Sequence, residues 1–355
     1  MSQPVDPAHG SRTPADVVVC LLSHRGHKII QPLDAAGIHH RTFQFKGGIT
    51  GYIKAAAGSA LYLSNVRLLT GRRALVLTDS TIFIGAVALL LSVIFFCPLV
   101  YRARGDTSRE CRERGRIGHL WIYRRLFLPR VRLLLPVSGM LEDRILSEPS
   151  FDGVSTVVPT PQTLLAGRSD LSQRTRTVLV VTRFDFVAKA EALIAYHEQF
   201  RIMLAQHEDI DLLICGAGPQ RRNVEQAYAA EVRDGRARFA GHVATPPVYA
   251  KALVLVHISY LDAYPSVINE ARAAGLPVIV SDTDGLSELV EHGEDGMILN
   301  AEDDHSLSEC LTLLSNQQRW TEMSLSGRDR TSRQNSTVAV GRLLETGIDS
   351  IRVSA

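Results

Sequence analysis

At 355 residues the chain is long for one domain, and two domains is the natural expectation. Hydrophobic residues make up 45% and charged residues 21%, a balance that supports a buried core and argues against a disordered chain. The net charge of +2 hides an asymmetry: residues 1–170 hold 21 Lys/Arg against 12 Asp/Glu (+9), leaving 18 against 25 (−7) for residues 171–355. The two halves therefore face different partners, or one sits near an anionic surface. Five scattered cysteines with no C-x-x-C spacing indicate neither a zinc knuckle nor a disulfide framework, and a reducing compartment fits them best.

Residues 1–15 are polar, carry Pro4, Pro7 and Pro14, and lack the apolar core of a signal peptide, so they read as a flexible N-terminus of a cytoplasmic chain. From there, short apolar runs alternate with longer helix-compatible stretches, the pattern of βαβ units and parallel sheets. The first runs are Val17 to Leu22, Ala74 to Thr78, Pro98 to Arg102 and Leu133 to Val137. A polar stretch with prolines, Val158 to Thr177, reads as the linker. A second series follows at Thr177 to Thr182, Asp211 to Cys215, Arg236 to Ala240, Leu253 to Ile258 and Pro277 to Ser281. Runs this short and this rich in Val, Leu and Ile are strands buried on both faces. Two doubly wound α/β domains in tandem, 16–170 and 171–330, is the simplest architecture. Ligands would bind at the carboxyl ends of the strands, in a cleft between the domains.

Thr81 to Val100 carries no charge over 20 residues, long enough for a transmembrane helix. Pro98 breaks the run, and the segment falls where a crossover helix is required. The favoured expectation is a buried helix to about Leu91 and a buried strand after Pro98, with a membrane span and shallow membrane contact as the alternatives. Next, residues 102–132 hold ten arginines against Asp106, Glu110 and Glu113, interleaved with Trp121, Tyr123 and Phe127. A basic surface with aromatics suits anionic lipid headgroups or a phosphorylated acceptor, and a solvated helix face is the alternative. Nucleic acid fits poorly, because the other half of the chain is acidic.

The densest chemistry lies between Leu253 and Leu299. A strand runs into Asp262-Ala263-Tyr264-Pro265, a helix starts at Ser266, and Gly275 stops it before the next strand. Pro265 suits a first helical turn and Gly275 a left-handed cap. Asp262 then sits at a strand's carboxyl end, and Glu270 about one turn into the helix. The free amides of Tyr264, Ser266 and Val267, with Pro265 among them, open toward the same crevice, where a helix N-terminus favours an anion. Carboxylates accept from sugar hydroxyls, while amides and cations hold a diphosphate, and a nucleotide sugar needs both.

Asp262-x7-Glu270 resembles the E-x7-E element of the family 4 (group 1) GT-B glycosyltransferases, and Glu270 to Ile279 is similar to their EAMA-x-G-x-PVI signature. The resemblance implies that Glu270 binds the nucleotide ribose and that Asp262 contacts hydroxyls of the transferred sugar. Asp in place of Glu shortens the reach by one methylene. Thr182-Arg183-Phe184 with Lys189 resembles the G-R-x…K-G element, whose cations neutralise the departing diphosphate; Ala190 and Thr182 stand where glycines are common. Cys215 to Pro219 is similar to a G-x-G-P turn, which would set Gly216 and Gly218 near the donor base; Arg221 stands where a dinucleotide fingerprint needs its third glycine. Phe239 to Val243 resembles an F-x-G-x-V strand end and implies that His242 lines the nucleobase pocket through backbone groups. Ser281 to Glu288 and Asp295 to Leu299 resemble the S-D-x-G-G-x-x-E loop and a D-G-x-L-x strand. Altogether the resemblance covers Thr177 to Leu314, roughly 40% of the chain.

The first domain resembles the family in outline only. A Gly-Gly loop is usual after the first strand; here His24-Arg25-Gly26-His27 leaves Gly26 as the position where backbone can approach a phosphate. Where some members place a histidine, after the strand ending at Thr78, this chain has Asp79, a candidate for the acceptor hydroxyl with an ordinary helix cap as the other reading. The Arg102 to Asp106 loop is the second acceptor candidate. In similar proteins a C-terminal helix packs back on the first domain, and 331–355 is the stretch for it here. His24, His27, His39 and His40 fit no metal spacing, and GT-B enzymes resemble one another in using no metal for the diphosphate.

The resemblance therefore implies two Rossmann-like domains facing a central cleft. It also implies a retaining, metal-independent, hexosyltransferase-like enzyme with no cofactor, taking a nucleotide diphosphate sugar. The acceptor would be a hydroxyl on a glycan or lipid-linked glycan in polysaccharide biosynthesis, and the enzyme would sit in the cytoplasm or peripherally at the inner membrane face. A GT-B nucleotide-sugar epimerase, a non-catalytic nucleotide-sugar-binding subunit, and a membrane protein spanning 81–100 are the rivals.

Overall fold

The computed structural model describes residues 17–23, 28–46, 48–70, 72–81, 83–165, 170–260, 262–283 and 285–353. The expected flexible N-terminus and the Gly26 loop lie outside them. Two compact units result, one of residues 1–158 with 340–355 and the other of 159–339. The break falls at Val158/Pro159, ahead of the expected boundary at 170/171.

The first unit holds strands β1 (Val17–Ser23), β2 (His39–Gln44), β3 (Arg73–Thr78), β4 (Leu99–Tyr101), β5 (Val131–Leu134) and β6 (Val154–Ser155). They form one parallel sheet in the order β2-β1-β3-β4-β5-β6. The apolar runs became the inner strands, where helices cover both faces and aliphatic side chains predominate. Two edge strands carry no such run: β2 is polar and part-exposed, and β6 has two residues. Val19, Leu21, Leu77, Val100 and Leu133 build the core, and Val340, Leu344 and Ile348 of the helix Thr337–Val353 close it. That four-residue spacing puts one face of the C-terminal helix onto the first unit.

The charge-free segment departs from expectation in one respect. A helix spans Phe83–Ile94, Phe96 turns the chain with φ +50°, and β4 follows Pro98. Ile84, Ala88 and Leu91 are buried, but Phe83, Leu90, Val93 and Ile94 are exposed, so the helix is a half-buried crossover and not a core helix. Among the described residues no helix is long and apolar enough to cross a membrane.

The second unit holds β7 (Thr177–Val181), β8 (Asp211–Cys215), β9 (Ala237–Gly241), β10 (Val254–His257), β11 (Val278–Ser281) and β12 (Met297–Leu299). Its sheet is parallel in the order β12-β11-β10-β7-β8-β9. Val178, Val180, Val254, Val256 and Ile279 meet Phe200 and Trp320 in the core, and Trp320 Nε1 donates to the Leu253 carbonyl at 2.8 Å. Strand order reverses between β7 and β10. Connections leave that point in opposite directions, which opens a crevice at the carboxyl ends where α/β sheets bind ligands.

Candidate active site

Lys189 and Asp262 meet at this switch point. Lys189 lies in the first turn of the helix Val187–Ala195, which β7 feeds, and Asp262 lies in the loop that leaves β10. Lys189 Nζ stands 2.7 Å from Asp262 Oδ1, and its side chain is nearly buried. Asp262 Oδ2 accepts a hydrogen bond from His257 Nε2 at 3.0 Å. A carboxylate can only accept, so Nε2 carries a proton; Nδ1 is buried with no hydrogen-bond partner. Burial pushes the Asp262 carboxyl up, but the hydrogen bond and charge of His257 and then the charge and hydrogen bond of Lys189 outweigh it and hold the group well below the usual carboxylate range. The loop is braced as well. Asp262 N donates to Ser259 Oγ at 3.3 Å, and Thr283 Oγ1, from the loop after β11, donates to the Ser259 carbonyl at 2.6 Å.

The helix Ser266–Ala273 starts immediately beyond. Pro265 is its N-cap, one position earlier than expected, with φ −69° and ψ 123°. The first amides of a helix have no intrahelical acceptor, which leaves those of Ser266 and Val267 facing outward along the axis. The far end is a Schellman cap: Gly275, at φ +70°, donates to the Arg272 carbonyl and Leu276 to the Ala271 carbonyl, each at 2.9 Å. Within the helix, Glu270 is half-buried and its Oε2 accepts from Tyr249 Oη at 3.3 Å, while Tyr264 Oη accepts from Asn335 Nδ2 at 2.7 Å. Arg272, where the resembled signature has methionine, is buried against Asp295 at 2.6 Å, and Arg330 grips the other carboxylate oxygen at 2.6 Å. This triad joins the helix to the Asp295-Gly296 turn that leads into β12.

Gly216 and Gly218 let two loops touch at the carboxyl edge. A Cβ on Gly216 would stand 1.9 Å from the Thr182 carbonyl oxygen, and one on Gly218 would stand 2.4 Å from Phe184 backbone. Thr182 N donates to the Cys215 carbonyl at 3.0 Å and Phe184 N to the Ala217 carbonyl at 3.0 Å, which binds the loop after β7 to the loop after β8. The glycines have a packing role here whatever they bind.

The sequence-derived candidates thus separate. Lys189 and Asp262 come together, whereas Glu270 engages Tyr249. Arg183 is 72% exposed and lies 3.8 Å from Asp185, and His242 is exposed at the end of β9. His257 and Tyr249 went unnoticed in the sequence. The signal for His257 was there: a polar residue inside the run Leu253 to Ile258, five positions before the acid. In the first unit Asp79 is buried and pairs with Arg104 at 3.2 Å, so the two acceptor candidate loops are joined. Arg102 is withdrawn from the surface: it is buried and donates to the Val158 carbonyl at 3.1 Å. Arg109 and Arg124 pair with Glu113 and Glu148, so the basic stretch is less bare than its composition implies. Among the described residues no group of three His, Cys, Asp or Glu is arranged to hold a metal.

Residues 175–317 match the family described as glycosyl transferases group 1. Over 106 residues the chain is 30% identical to a GDP-mannose-dependent alpha-mannosyltransferase of Mycolicibacterium smegmatis, a match that covers 30% of this chain and 28% of that protein. The chain thus spans under a third of the length of that relative. Anabaena HepE, solved in complex with UDP and glucose, aligns with a TM-score of 0.70 at 17% identity over 94% of this chain and 99% of its own. Sucrose-phosphate synthase from Thermosynechococcus elongatus aligns with a TM-score of 0.72 at 19% identity over 95% of this chain and 100% of its own. At those identities the likeness speaks for the fold, and the fold is shared almost end to end. Residues 175–317 are thus similar to the group 1 glycosyl transferases, and the chain has the GT-B fold of its structural neighbours.

Proposed function

We propose that the protein transfers a sugar from a nucleotide diphosphate sugar to a hydroxyl of a glycan or lipid-linked glycan, with retention at the anomeric carbon. The observation that carries the reading is the 2.7 Å contact between Lys189 and Asp262 at the switch point, four residues ahead of an open helix N-terminus. Relatives favour the donor class: the Mycolicibacterium smegmatis protein is named for GDP-mannose, and HepE was solved with UDP and glucose.

Each residue then has a task. Arg183, Lys189 and the amides of Ser266 and Val267 offset the charge of the diphosphate, with no metal and no cofactor. Glu270 holds the ribose, Asp262 the sugar hydroxyls, and the Gly216, Gly218 and His242 edge the base. Tyr264 and Pro265 set where the helix begins. The acceptor oxygen attacks the anomeric carbon from the face that the diphosphate leaves. The carbon–phosphate-oxygen bond breaks as the new glycosidic bond forms, and the hydroxyl proton passes to the diphosphate. Asp79 and the Arg102 to Asp106 loop are the acceptor-side candidates, and Gly26 is the position where backbone can approach a phosphate.

The test is a thermal-shift screen with UDP, GDP, ADP and their sugars, followed by measurement of diphosphate release. A ligand that prefers the native state raises the melting point. Glu270→Ala should chiefly weaken donor binding, and Arg183→Ala should chiefly lower kcat. Full activity in both variants, or no melting shift with any nucleotide, would refute the assignment.

A further inference from the structure

The helix Phe83–Ile94 contains no charged side chain. Its inner face is filled by Ile84, Ala88 and Leu91. On the opposite face Phe83, Ala86, Leu90, Val93 and Ile94 recur at three- and four-residue spacing and are exposed, Phe83 by 75% and Leu90 by 57%. A helix on a water-facing surface carries polar residues there. This one presents an apolar stripe about 16 Å long, at 1.5 Å per residue.

Both ends of the stripe are basic. At the first end, His119 Nε2 lies 3.2 Å from the Thr81 carbonyl, and a Cβ on Gly85 would stand 3.2 Å from the Phe127 ring. These contacts bring the segment 112–127 alongside the helix. That segment exposes Ile117, Trp121 and Leu126 among the exposed Arg112, Arg116 and Arg125. At the other end, Arg67 Nη1 donates to the Phe95 carbonyl at 3.0 Å and its guanidinium lies 5.7 Å from the Phe96 ring centre. Phe96 is 84% exposed and holds φ +50°, a conformation that bulky residues rarely adopt. Leu68 and Leu69 beside Arg67 are exposed too, and Arg72 and Arg73 line one cleft with Phe95 and Phe96.

We infer that this face of the first unit docks on the surface of an anionic phospholipid bilayer. The helix lies in the plane, its apolar stripe at the acyl boundary and the flanking arginines on lipid phosphates. Charge complementarity selects the occupant. Residues 1–170 carry a net +9, and the arginines bracket the stripe at both ends, as an in-plane amphipathic segment requires. Trp121 is an aromatic of the kind that settles at headgroup level, and the exposed Phe96 adds to the apolar face. A second copy of the chain, by contrast, would bring like charges against these arginines. The inference rests on the first unit alone and is independent of the proposed sugar transfer.

The experiment is co-sedimentation of the full chain with phosphatidylcholine vesicles, with and without phosphatidylglycerol. Binding is expected to the anionic vesicles, with a blue shift of Trp121 emission, since Trp320 is already buried. Arg116→Gln and Arg125→Gln should each weaken binding about fivefold. Leu90→Glu should weaken it at least about tenfold. Because Leu90 is exposed, the variant should melt like the parent, and Leu90→Ser serves if it does not. No binding to anionic vesicles, equal binding by the Leu90 variants, or a dimer that Leu90→Glu dissociates would overturn the inference.

Discussion

Asp295 offers the sharpest test of how the second unit is held together. It is buried between Arg272 and Arg330, 2.6 Å from each, and its Oδ1 also accepts from the Glu291 amide at 2.9 Å. Burial lowers the Arg272 pKa to about 10, with Asp295 opposing the shift, so the guanidinium stays charged at neutral pH. Asp295→Ala removes its counter-charge and leaves it with backbone carbonyls at 2.8 and 3.1 Å. Breaking a buried pair this way costs about 3–5 kcal/mol. A unit of this size loses about 2–4 °C of melting temperature per kcal/mol, so a drop of about 6–20 °C is expected. The double variant Arg272→Met with Asp295→Ala removes both charges, and Arg330 can turn back to water, since its side chain keeps 21% exposure. It should regain more than half of the loss. The chain has two tryptophans, so Trp121→Phe leaves Trp320 as a fluorescence reporter in the core of the second unit. A loss below about 1 kcal/mol for Asp295→Ala, or a double variant no better than the single, would refute the reasoning.

Two further outcomes follow from the site itself. His257→Leu should lower kcat about tenfold or more, the scale of one hydrogen bond to a charged group, with little change in donor KM. The pH profile separates positioning from mere packing. Asp262 is depressed in the folded protein, so its contribution to stability is fully present above the ordinary carboxylate value near ~3.9 and is lost only as pH falls through a lower one. Without His257, burial is opposed by Lys189 alone, and the acid limb of kcat/KM should move to higher pH; a lower melting point with an unmoved limb would make His257 purely structural. Gly216→Ala would place its Cβ 1.9 Å from the Thr182 carbonyl and force the loops after β7 and β8 apart. The melting shift given by the preferred nucleotide should vanish, while Gly118→Ala, where nothing lies within 4 Å, leaves it intact.

What was legible in the sequence followed from burial. Inner strands such as Val17–Ser23 and Val254–His257 must be apolar on both faces, so they stand out as runs. The edge strand His39–Gln44 is shielded on one side only, tolerates polar residues, and left no run to find. The Gly275 cap was readable because left-handed backbone strongly favours glycine. Arg102 was misplaced because an arginine in a basic stretch looks like surface, and only the fold shows the Val158 carbonyl waiting for it. The outer face of Phe83–Ile94 was misread for the opposite reason: apolar side chains imply burial only where something covers them.

The acid at 262 and the histidine at 257 make sense together. With its shorter side chain, Asp262 keeps its carboxylate close to the strand end, where Lys189 reaches one oxygen and His257 the other. A longer acid would carry the group past both partners. His257 in turn needs that carboxylate, because a buried imidazole with Nδ1 already unpartnered would otherwise leave both nitrogens unsatisfied. Each departure from an all-apolar strand and a glutamate-bearing loop removes the penalty of the other. The site is thus one compact charged cluster, whose lysine and aspartate come from opposite sides of the switch point and whose histidine comes from the strand beneath.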